Sequence, residues 1–323
     1  MLTGPLVCIA TPVGWLTMSR IVVSGATSWI GRQLATRLRD EATELLLIDD
    51  PAVITDEHTD IFPALLDDAA SAYRLIDYRP DVIIHLQAID RARTLGSDRA
   101  REATVIGAQG VFGAISRMGH EVTVVVKSDV AVYGAGPRNP SVFLESTTPR
   151  ARRSSYGRDL ASAERYATEA LDGRNNISLM MLRFAKIVGP GVDNPLSRYF
   201  SLPVLPTRLG YDPRVQLLHE EDAVDALLHC VRNPKAGTFN IASSGVRYLG
   251  RIARSTKRHA QPFPERILRQ VLKRAGTPLP SHLIAYLTYG LVMDTTAMRD
   301  VLGFEPNHTI EDAIASIAVR TAT

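Results

Sequence analysis

The sequence has few cysteines and no strong excess of charge of either sign. Only two of its 323 residues are cysteines, Cys8 and Cys230, and two cysteines cannot build the disulfide framework of a small secreted fold. Neither has a histidine or cysteine at metal-ligand spacing, so no metal site is expected. With 37 Lys and Arg against 34 Asp and Glu the net charge is +3, too small to predict nucleic-acid binding. These absences favour a reducing, cytoplasmic setting.

Long hydrophobic runs are also missing. The longest apolar stretch, residues 1–18, is interrupted by two prolines and two glycines and is shorter than the roughly 20 residues that span a bilayer. It lacks the basic start and the small-residue cleavage site of a signal peptide. No membrane partner is expected. Residues 1–18 form an N-terminal extension with two open interpretations: Met18 is the natural start, or the extension is a native but poorly ordered tail.

Strand-like and helix-like runs alternate through the first two thirds of the chain. The predicted strands are 21–24, 44–49, 81–86, 121–127 and 177–184, and the predicted helices are 32–40, 69–78, 98–118 and 154–171. The strands are almost continuously apolar, which is typical of a sheet covered on both faces. Alternating strands and helices predict an α/β fold with a doubly wound parallel sheet.

A change of pattern follows residue 190, where prolines become frequent and the periodic segments shorten. We therefore expect a dinucleotide-binding domain over 19–190 and a smaller, mixed C-terminal lobe over 191–323. The lobe contains a basic run that we interpret as a solvated helix face rather than a phosphate or membrane site. Its members are Arg247, Arg251, Arg254, Lys257, Arg258, Arg266, Arg269, Lys273 and Arg274.

A glycine-containing turn joins the first predicted strand to the first helix. Gly25 permits a tight turn and Gly31 allows the helix to pack close to the sheet, as in dinucleotide sites. Ser28 stands where such sites usually have a glycine, which narrows the site, but helix amides and the serine hydroxyl can still hold a phosphate. The cofactor contacts expected in this turn are Gly25, Thr27, Ser28, Trp29, Ile30 and Gly31.

An acidic pair ends the second predicted strand. Asp49 lies 18 residues after Gly31, close to the roughly 20 expected for the carboxylate that accepts the ribose hydroxyls. This favours NAD over NADP, and Asp50 is expected beside it. The alternative is that both residues only begin a turn before Pro51. Two further cofactor contacts are expected at and after the end of the strand 81–86, at Leu86 and Ala88.

The order of motifs resembles the extended short-chain dehydrogenase/reductase family, which includes UDP-galactose 4-epimerase and nucleotide-sugar dehydratases. The likeness covers about residues 19–320 and is closest to a divergent, epimerase-like bacterial branch. It is carried by the turn 25–31, DVIIHL at 81–86, VYG at 132–134, YGR at 156–158, LRF at 182–184 with GPG at 189–191, LHEEDA at 218–223, GTFNI at 237–241, VMDTT at 292–296 and LGFEP at 302–306.

The resemblance implies a catalytic centre that this chain has altered. Tyr156 matches the family's acid/base tyrosine, but Leu160 stands at the position four residues on, where the family has a lysine. Asp129 occupies the position of the family's serine or threonine donor. An ionised Asp129 opposes formation of the phenolate unless burial keeps its carboxyl protonated as a donor. Ser128, one residue earlier, is expected to point to the other face of the strand.

Lys127 is a candidate replacement for the missing ammonium, because it lies on the same strand face as Asp129. The alternatives are that Lys127 pairs with Asp129 or reaches solvent. Two other family positions differ: Thr104 stands for an asparagine, and Ala64 for the aspartate of the adenine pocket.

On the substrate side, the resemblance points to three cations near the family's diphosphate loops, Arg198, Arg208 and Arg214, although the family's own arginine position is Val215 here. His219 and Asp222 are interpreted as structural, capping a helix and packing the lobes. Arg183 is expected to be an ion-pair partner, and His85 a core histidine.

Together these observations predict an NAD-binding, epimerase- or dehydratase-like protein that acts on a nucleotide-sugar-like substrate with altered or weakened catalysis. A second hypothesis is a pseudoenzyme that uses its dinucleotide site for sensing or assembly, and a third is a reductase that releases NADH at each turnover. By analogy with the family, a homodimer is expected through the helices at 98–118 and 154–171.

Overall fold

The computed structural model describes residues 19–55, 60–64, 69–86, 97–149 and 154–320. The extension 1–18 and the predicted cofactor contact Ala88 lie outside these residues. Within them the polypeptide forms an α/β fold around one large parallel sheet, as the alternating pattern predicts.

The strands of the central sheet are β1 Arg20–Ser24, β2 Glu44–Asp49, β3 Ile61–Pro63, β4 Val82–Leu86, β5 Val122–Asp129, β6 Ile177–Phe184 and β11 Gly237–Ile241. Their order across the sheet is β11-β6-β5-β4-β1-β2-β3, and every neighbouring pair is parallel. β-branched and leucine side chains fill the middle strands, which are buried on both faces.

Helices cover both faces of this sheet. α1 (Trp29–Leu38) begins three residues before the predicted start, because Ser28 caps it directly after the turn. The other helices of this half are α2 Ala69–Tyr78, α3 Ser97–Ile115 and α4 Ser155–Leu171. In α4, Ala163 and Ala167 are buried in the hydrophobic core. Two small side chains of a helix that is expected to pair two subunits are therefore used within the subunit.

The central sheet extends across the predicted domain boundary at residue 190. β11 pairs with β6, so the central sheet takes its edge strand from the C-terminal segment. Three two-stranded pairs complete this half: β7 Lys186–Val188 with β10 Leu217–His219, β9 Arg214–Val215 with β12 Arg247–Tyr248, and β8 Val204–Arg208 with β13 His259–Phe263. Its helices are α5 Pro195–Phe200, α6 Glu220–Arg232, α7 Leu249–Ser255, α8 Glu265–Arg274, α9 Ser281–Tyr289 and α10 Ile310–Arg320.

The basic run lies mainly on α7 and α8. In α8 the leucines Leu268 and Leu272 are buried, while Arg266, Arg269 and Lys273 are exposed, as expected for a solvated face. Arg258 is the exception, because it is only 7% exposed. No helix in the described ranges has the length and apolar character needed to cross a bilayer.

Candidate functional site

The turn between β1 and α1 requires its two outer glycines. Gly25 has a φ of +81°, and a Cβ there would lie 2.5 Å from the carbonyl oxygen of Leu86. A Cβ on Gly31 would lie 2.6 Å from the carbonyl oxygen of Gly25. The backbone of the turn is therefore pressed against the end of β4 and against the first turn of α1. This close packing is what the glycine spacing predicts.

Ser28 fits the turn without strain, although it replaces a glycine. Its backbone is extended, with φ −65° and ψ 157°. Its hydroxyl donates to the carbonyl oxygen of Gly25 at 2.8 Å and accepts from the amide of Gly31 at 3.1 Å. The side chain thus binds the backbone of its own turn. The first amides of a helix have no acceptor within the helix, so those of Trp29 and Ile30 are available at the start of α1.

Asp49 ties the end of β2 to the turn. Its Oδ2 accepts from both the amide and the hydroxyl of Thr27, each at 2.8 Å, and its Oδ1 accepts from the amide of Asp50 at 2.8 Å. Asp50 caps the short 3₁₀ turn Pro51–Val53, which is the structural role weighed for this pair. The amide of Ala64 donates to the backbone carbonyl of Asp49 at 2.9 Å, so the altered adenine-pocket position is adjacent to this aspartate.

The loop at residues 189–192 closes over the same turn. Gly191 packs against the indole of Trp29, where a Cβ would lie 2.0 Å from Nε1. Glu220, buried at the start of α6, accepts from the amide of Gly191 at 2.9 Å and from that of Val192 at 2.7 Å. The GPG motif therefore lets this loop contact the glycine turn on one side and a buried carboxylate on the other.

Tyr156 lies at the carboxyl edge of the sheet, in the first turn of α4. Its hydroxyl donates to Oδ2 of Asp129 at 3.4 Å. The other oxygen, Oδ1, accepts from the ammonium of Lys186 at 2.6 Å and from the amide of Ala131 at 2.7 Å. The same ammonium lies 5.0 Å from the centre of the Tyr156 ring. A buried ion pair therefore stands beside the phenol to which the resemblance assigns the role of acid and base.

The helix α9 supplies two further rings to this cluster. His282 stacks on Tyr156 with ring centres 4.3 Å apart and an angle of 6° between the planes. The hydroxyl of Tyr286 donates to the backbone carbonyl of Gln216 at 2.5 Å. Burial raises the pKa of Tyr286, and the charge of Asp129 acts in the same direction. The C-terminal half thus contributes a ring that stacks on Tyr156.

The positions near Tyr156 in the predicted catalytic centre differ in their burial and in their partners. Leu160 is 1% exposed in the hydrophobic core. Ser128 donates to the buried carboxylate of Glu164, away from Tyr156, as strand alternation predicts. Lys127 is 7% exposed, so the alternative that it reaches solvent is wrong. The lysine that pairs with Asp129 is Lys186, and a role for Lys127 at Tyr156 stays a prediction.

Sequence reasoning missed Lys186 and His282. For Lys186 a signal exists, because it comes two residues after Phe184, which pairs in register with Asp129. Carboxyl ends of adjacent parallel strands meet at one edge of the sheet. For His282 no local pattern gives such a signal, because α9 reaches Tyr156 only through the packing of the C-terminal half.

The three predicted substrate arginines make different contacts. Arg198 pairs with Asp193, and its Nη2 is buried without a hydrogen-bond partner in the described part of the chain. Arg208 donates to the hydroxyl of Tyr289 at 3.0 Å and pairs with Glu265. Arg214 donates to the carbonyl of Ser141 at 2.8 Å. Arg214 lines a cavity of about 550 Å³ whose aromatic side chains are Phe143, Tyr211, Tyr248 and Tyr289.

Several other predicted roles match the contacts. Arg183 pairs with Glu164 in the interior, and Asp222 accepts from the backbone of the loop before α10. His219 caps α6 through Glu221. His85 is fully buried, and burial lowers its pKa to about 4. Among the described residues no group of three or more His, Cys, Asp or Glu side chains could hold a metal ion.

Comparison with known proteins agrees with this geometry. The model of the NAD dependent epimerase/dehydratase family matches residues 21–242. The chain belongs to this family. Uncharacterized protein Rv0501 of Mycobacterium tuberculosis is 38% identical over 239 residues, which cover 72% of the chain but only 64% of the relative. Uncharacterized protein Rv2047c of the same organism is 29% identical over 93% of the chain and 30% of its own length.

Solved structures of the family share the fold at low identity. MoeE5 in complex with UDP-glucuronic acid and NAD has a TM-score of 0.69 at 21% identity, covering 94% of this chain and 99% of that chain. UDP-glucose 4-epimerase from Thermotoga maritima, with UDP-glucose, has a TM-score of 0.71 at 17% identity over 94% and 98%. A dTDP-glucose 4,6-dehydratase from Bacillus anthracis, in complex with NAD, gives 0.69 at 16% over 94% and 96%.

Proposed function

We propose that the protein binds NAD and performs epimerase- or dehydratase-type chemistry on a nucleotide-sugar-like substrate, with Tyr156 as the acid and base. The observation that carries this proposal is the position of Tyr156. Its hydroxyl lies at the carboxyl edge of the sheet, where ligands of doubly wound folds bind, and an ion pair lies within reach of it.

The glycine turn fits a dinucleotide. A side chain at Gly25 would collide with Leu86, so the turn keeps the tight bend with which such sites begin. The start of α1 offers amides to an anion, and Asp49 lies at the end of β2, where ribose hydroxyls are bound in such folds. When bound, NAD would supply reversible hydride transfer. Thr27, Trp29 and Ile30 would position it.

Tyr156 would handle the proton. Its oxygen takes the proton of a substrate hydroxyl when the attached carbon is oxidised and returns a proton when the carbon is reduced. A free phenol ionises only near pH 10, so this role needs a positive charge near the ring. Lys186 supplies an ammonium 5.0 Å from the centre of the Tyr156 ring.

The cavity beside Arg214 suits the nucleotide end of the substrate. His282 and Tyr289 stand at opposite ends of α9, about 10 Å apart at 1.5 Å per residue. A sugar at Tyr156 could therefore place its diphosphate and base near Arg214 and Tyr289. Arginine suits a diphosphate through its planar donors, and tyrosine rings can stack on a base.

The first test is to denature the purified protein and quantify released NAD⁺ and NADH by mass spectrometry, with a titration of added NAD. We expect near-stoichiometric or saturable NAD and turnover of a nucleotide sugar that Tyr156→Phe abolishes. Gly25→Ala should prevent binding, whereas the control Gly173→Ala, which also has a positive φ but no atom within 4 Å of its Cβ, should not. Absence of saturable binding would contradict the proposal.

The second candidate is a non-catalytic dinucleotide-binding protein. Leu160 favours it, because a leucine in the hydrophobic core supplies neither the charge nor the hydrogen bond of an ammonium. Tight NAD binding without turnover of any nucleotide sugar would support this function. A reductase that releases NADH is disfavoured if the cofactor stays bound through purification. The oligomeric state, which we propose to be a homodimer, is measured by light scattering in the same preparation.

A further inference from the structure

A lysine from outside α4 stands beside the family's tyrosine. We propose that Lys186 is a positioning residue for Tyr156, and that its ammonium replaces the one the resemblance assigns to the position of Leu160. The inference rests on the proposed function, because it matters only if Tyr156 moves a proton. It assigns the ammonium to β7, whereas the family resemblance places it in the helix that bears the tyrosine.

The backbone holds Lys186 firmly in place. β7 pairs with β10 on one side, with Lys186 opposite Leu217. The preceding residue, Ala185, donates to the carbonyl of Ile241 at 2.7 Å. The Lys186 side chain is only 9% exposed. Its ammonium therefore has little freedom to leave the carboxylate of Asp129, which is itself fixed by the amide of Ala131.

The two carboxylate oxygens of Asp129 bind different groups of the cluster. Oδ1 binds the ammonium at 2.6 Å, and Oδ2 accepts from the phenol at 3.4 Å. An unpaired carboxylate at this distance would oppose loss of the phenol proton. The ammonium neutralises that charge and also lies 5.0 Å from the ring centre, where it stabilises the phenolate. Two further titratable groups are described here, His282, which stacks on the ring, and Tyr286, on which the charge of Asp129 acts.

In this arrangement only Tyr156 exchanges a proton with the substrate. Its oxygen accepts the hydroxyl proton in one direction and returns it in the other, and Lys186 keeps its protons throughout. Lys186 therefore changes the ease of ionisation of Tyr156 and touches no reacting atom.

The test measures the ionisation of Tyr156 itself, without cofactor or substrate. Each variant is titrated with alkali while the absorbance of tyrosinate is recorded, and the same is done for that variant with Tyr156→Phe added. The difference between the two curves gives the ionisation of Tyr156. Lys186→Met should raise the midpoint by at least about one pH unit, because an opposite charge at this distance shifts ionisation by about 1–3 units. Lys186→Arg should restore most of the wild-type value. An unchanged midpoint in Lys186→Met overturns the proposal.

A second comparison covers the case in which Lys186→Met fails to fold because Asp129 is left unpaired. Asp129→Asn removes the opposing carboxylate and should lower the Tyr156 midpoint. Adding Lys186→Met to Asp129→Asn should raise it again by about one unit or more. Equal midpoints in these two variants contradict a role for Lys186. If Lys127→Met moves the midpoint and Lys186→Met does not, the ammonium belongs to Lys127 and the proposal is wrong.

This experiment separates the inference from the proposed function. Failure of NAD binding would defeat the proposed function and leave the titration readable. If the protein turns over a nucleotide sugar, the pH profile of kcat for Lys186→Met should also shift to higher pH. Lys186→Arg should change the KM for that substrate only a little. A structural role alone would lower stability without moving either profile.

Discussion

The glycine turn and the tyrosine cluster both depart from the family's pattern, but in different ways. In the turn, Ser28 replaces a glycine, and its hydroxyl forms hydrogen bonds with backbone atoms three residues before and after it. At Tyr156, the lost ammonium is matched by Lys186, which approaches from another strand. The first departure is settled within one turn, whereas the second depends on the pairing of strands from different parts of the chain.

This difference explains where function can survive substitution. A turn built from backbone contacts tolerates a small side chain that makes the same contacts. A charge cluster tolerates the loss of one lysine only if another ammonium reaches the same place. Each prediction below perturbs one or both of these regions, and the first two are paired with a control variant at an exposed position.

The largest effect on stability is expected from Lys186→Met. The change leaves Asp129, whose side chain is only 13% exposed, as an unpaired buried carboxylate, and breaking such a pair costs about 3–5 kcal/mol. The free energy of unfolding from urea denaturation gives the result. Lys273→Met, at an exposed position of α8, should change it by less than about 0.5 kcal/mol. A similar small change in Lys186→Met would mean that the pair is weaker than its burial indicates.

The next effect is a dependence of stability on pH, and it is expected from His85, near the glycine turn. Its Nδ1 lies 2.7 Å from the hydroxyl of Ser24, and burial lowers its pKa from 6.5 to about 4. The unfolded chain therefore binds a proton at a higher pH than the folded protein does. Stability should be unaffected by His85 above pH 6.5 and should fall by about 3 kcal/mol as the pH drops to about 4.

Denaturation at several pH values in wild type and His85→Leu tests this expectation. The variant should lose most of the acid dependence between pH 6.5 and 4. His259→Leu, at an exposed position of β13, is the matched control and should keep it. If His85→Leu retains the full acid dependence, other groups are responsible for it.

The smallest effect on stability is expected from removing the serine that caps the helix in each region. Ser28→Ala and Ser154→Ala each remove a side chain that accepts from an amide in the first turn of its helix, α1 or α4. Each loss should cost about 1 kcal/mol, measured by thermal denaturation. Ser28→Ala should leave NAD affinity within about threefold, because the hydroxyl binds its own turn. A larger loss of affinity would show that Ser28 contacts the phosphate.

Much of the fold follows from local patterns, and the site follows only in part. The strand Glu44–Asp49 and the helix Ala69–Tyr78 have their predicted bounds, because apolar periodicity determines them. The glycine turn and Tyr156 are also predictable, since each belongs to a short motif. For the ion pair of Lys186, strand register gives a signal, because Lys186 comes two residues after Phe184, the partner of Asp129. The stacking of His282 is not predictable, because it depends on packing between segments far apart in sequence.

The strand β11 has a consequence for how the chain is made. During synthesis from the N-terminus, β6 emerges well before its partner, since Met180 pairs with Gly237. Until residue 241 has left the ribosome, one side of β6 exposes unpaired amides and carbonyls that another chain could bind. A fragment ending at residue 190 would keep that open edge permanently. We therefore expect such a fragment to aggregate, and nascent chains of intermediate length to need protection by chaperones.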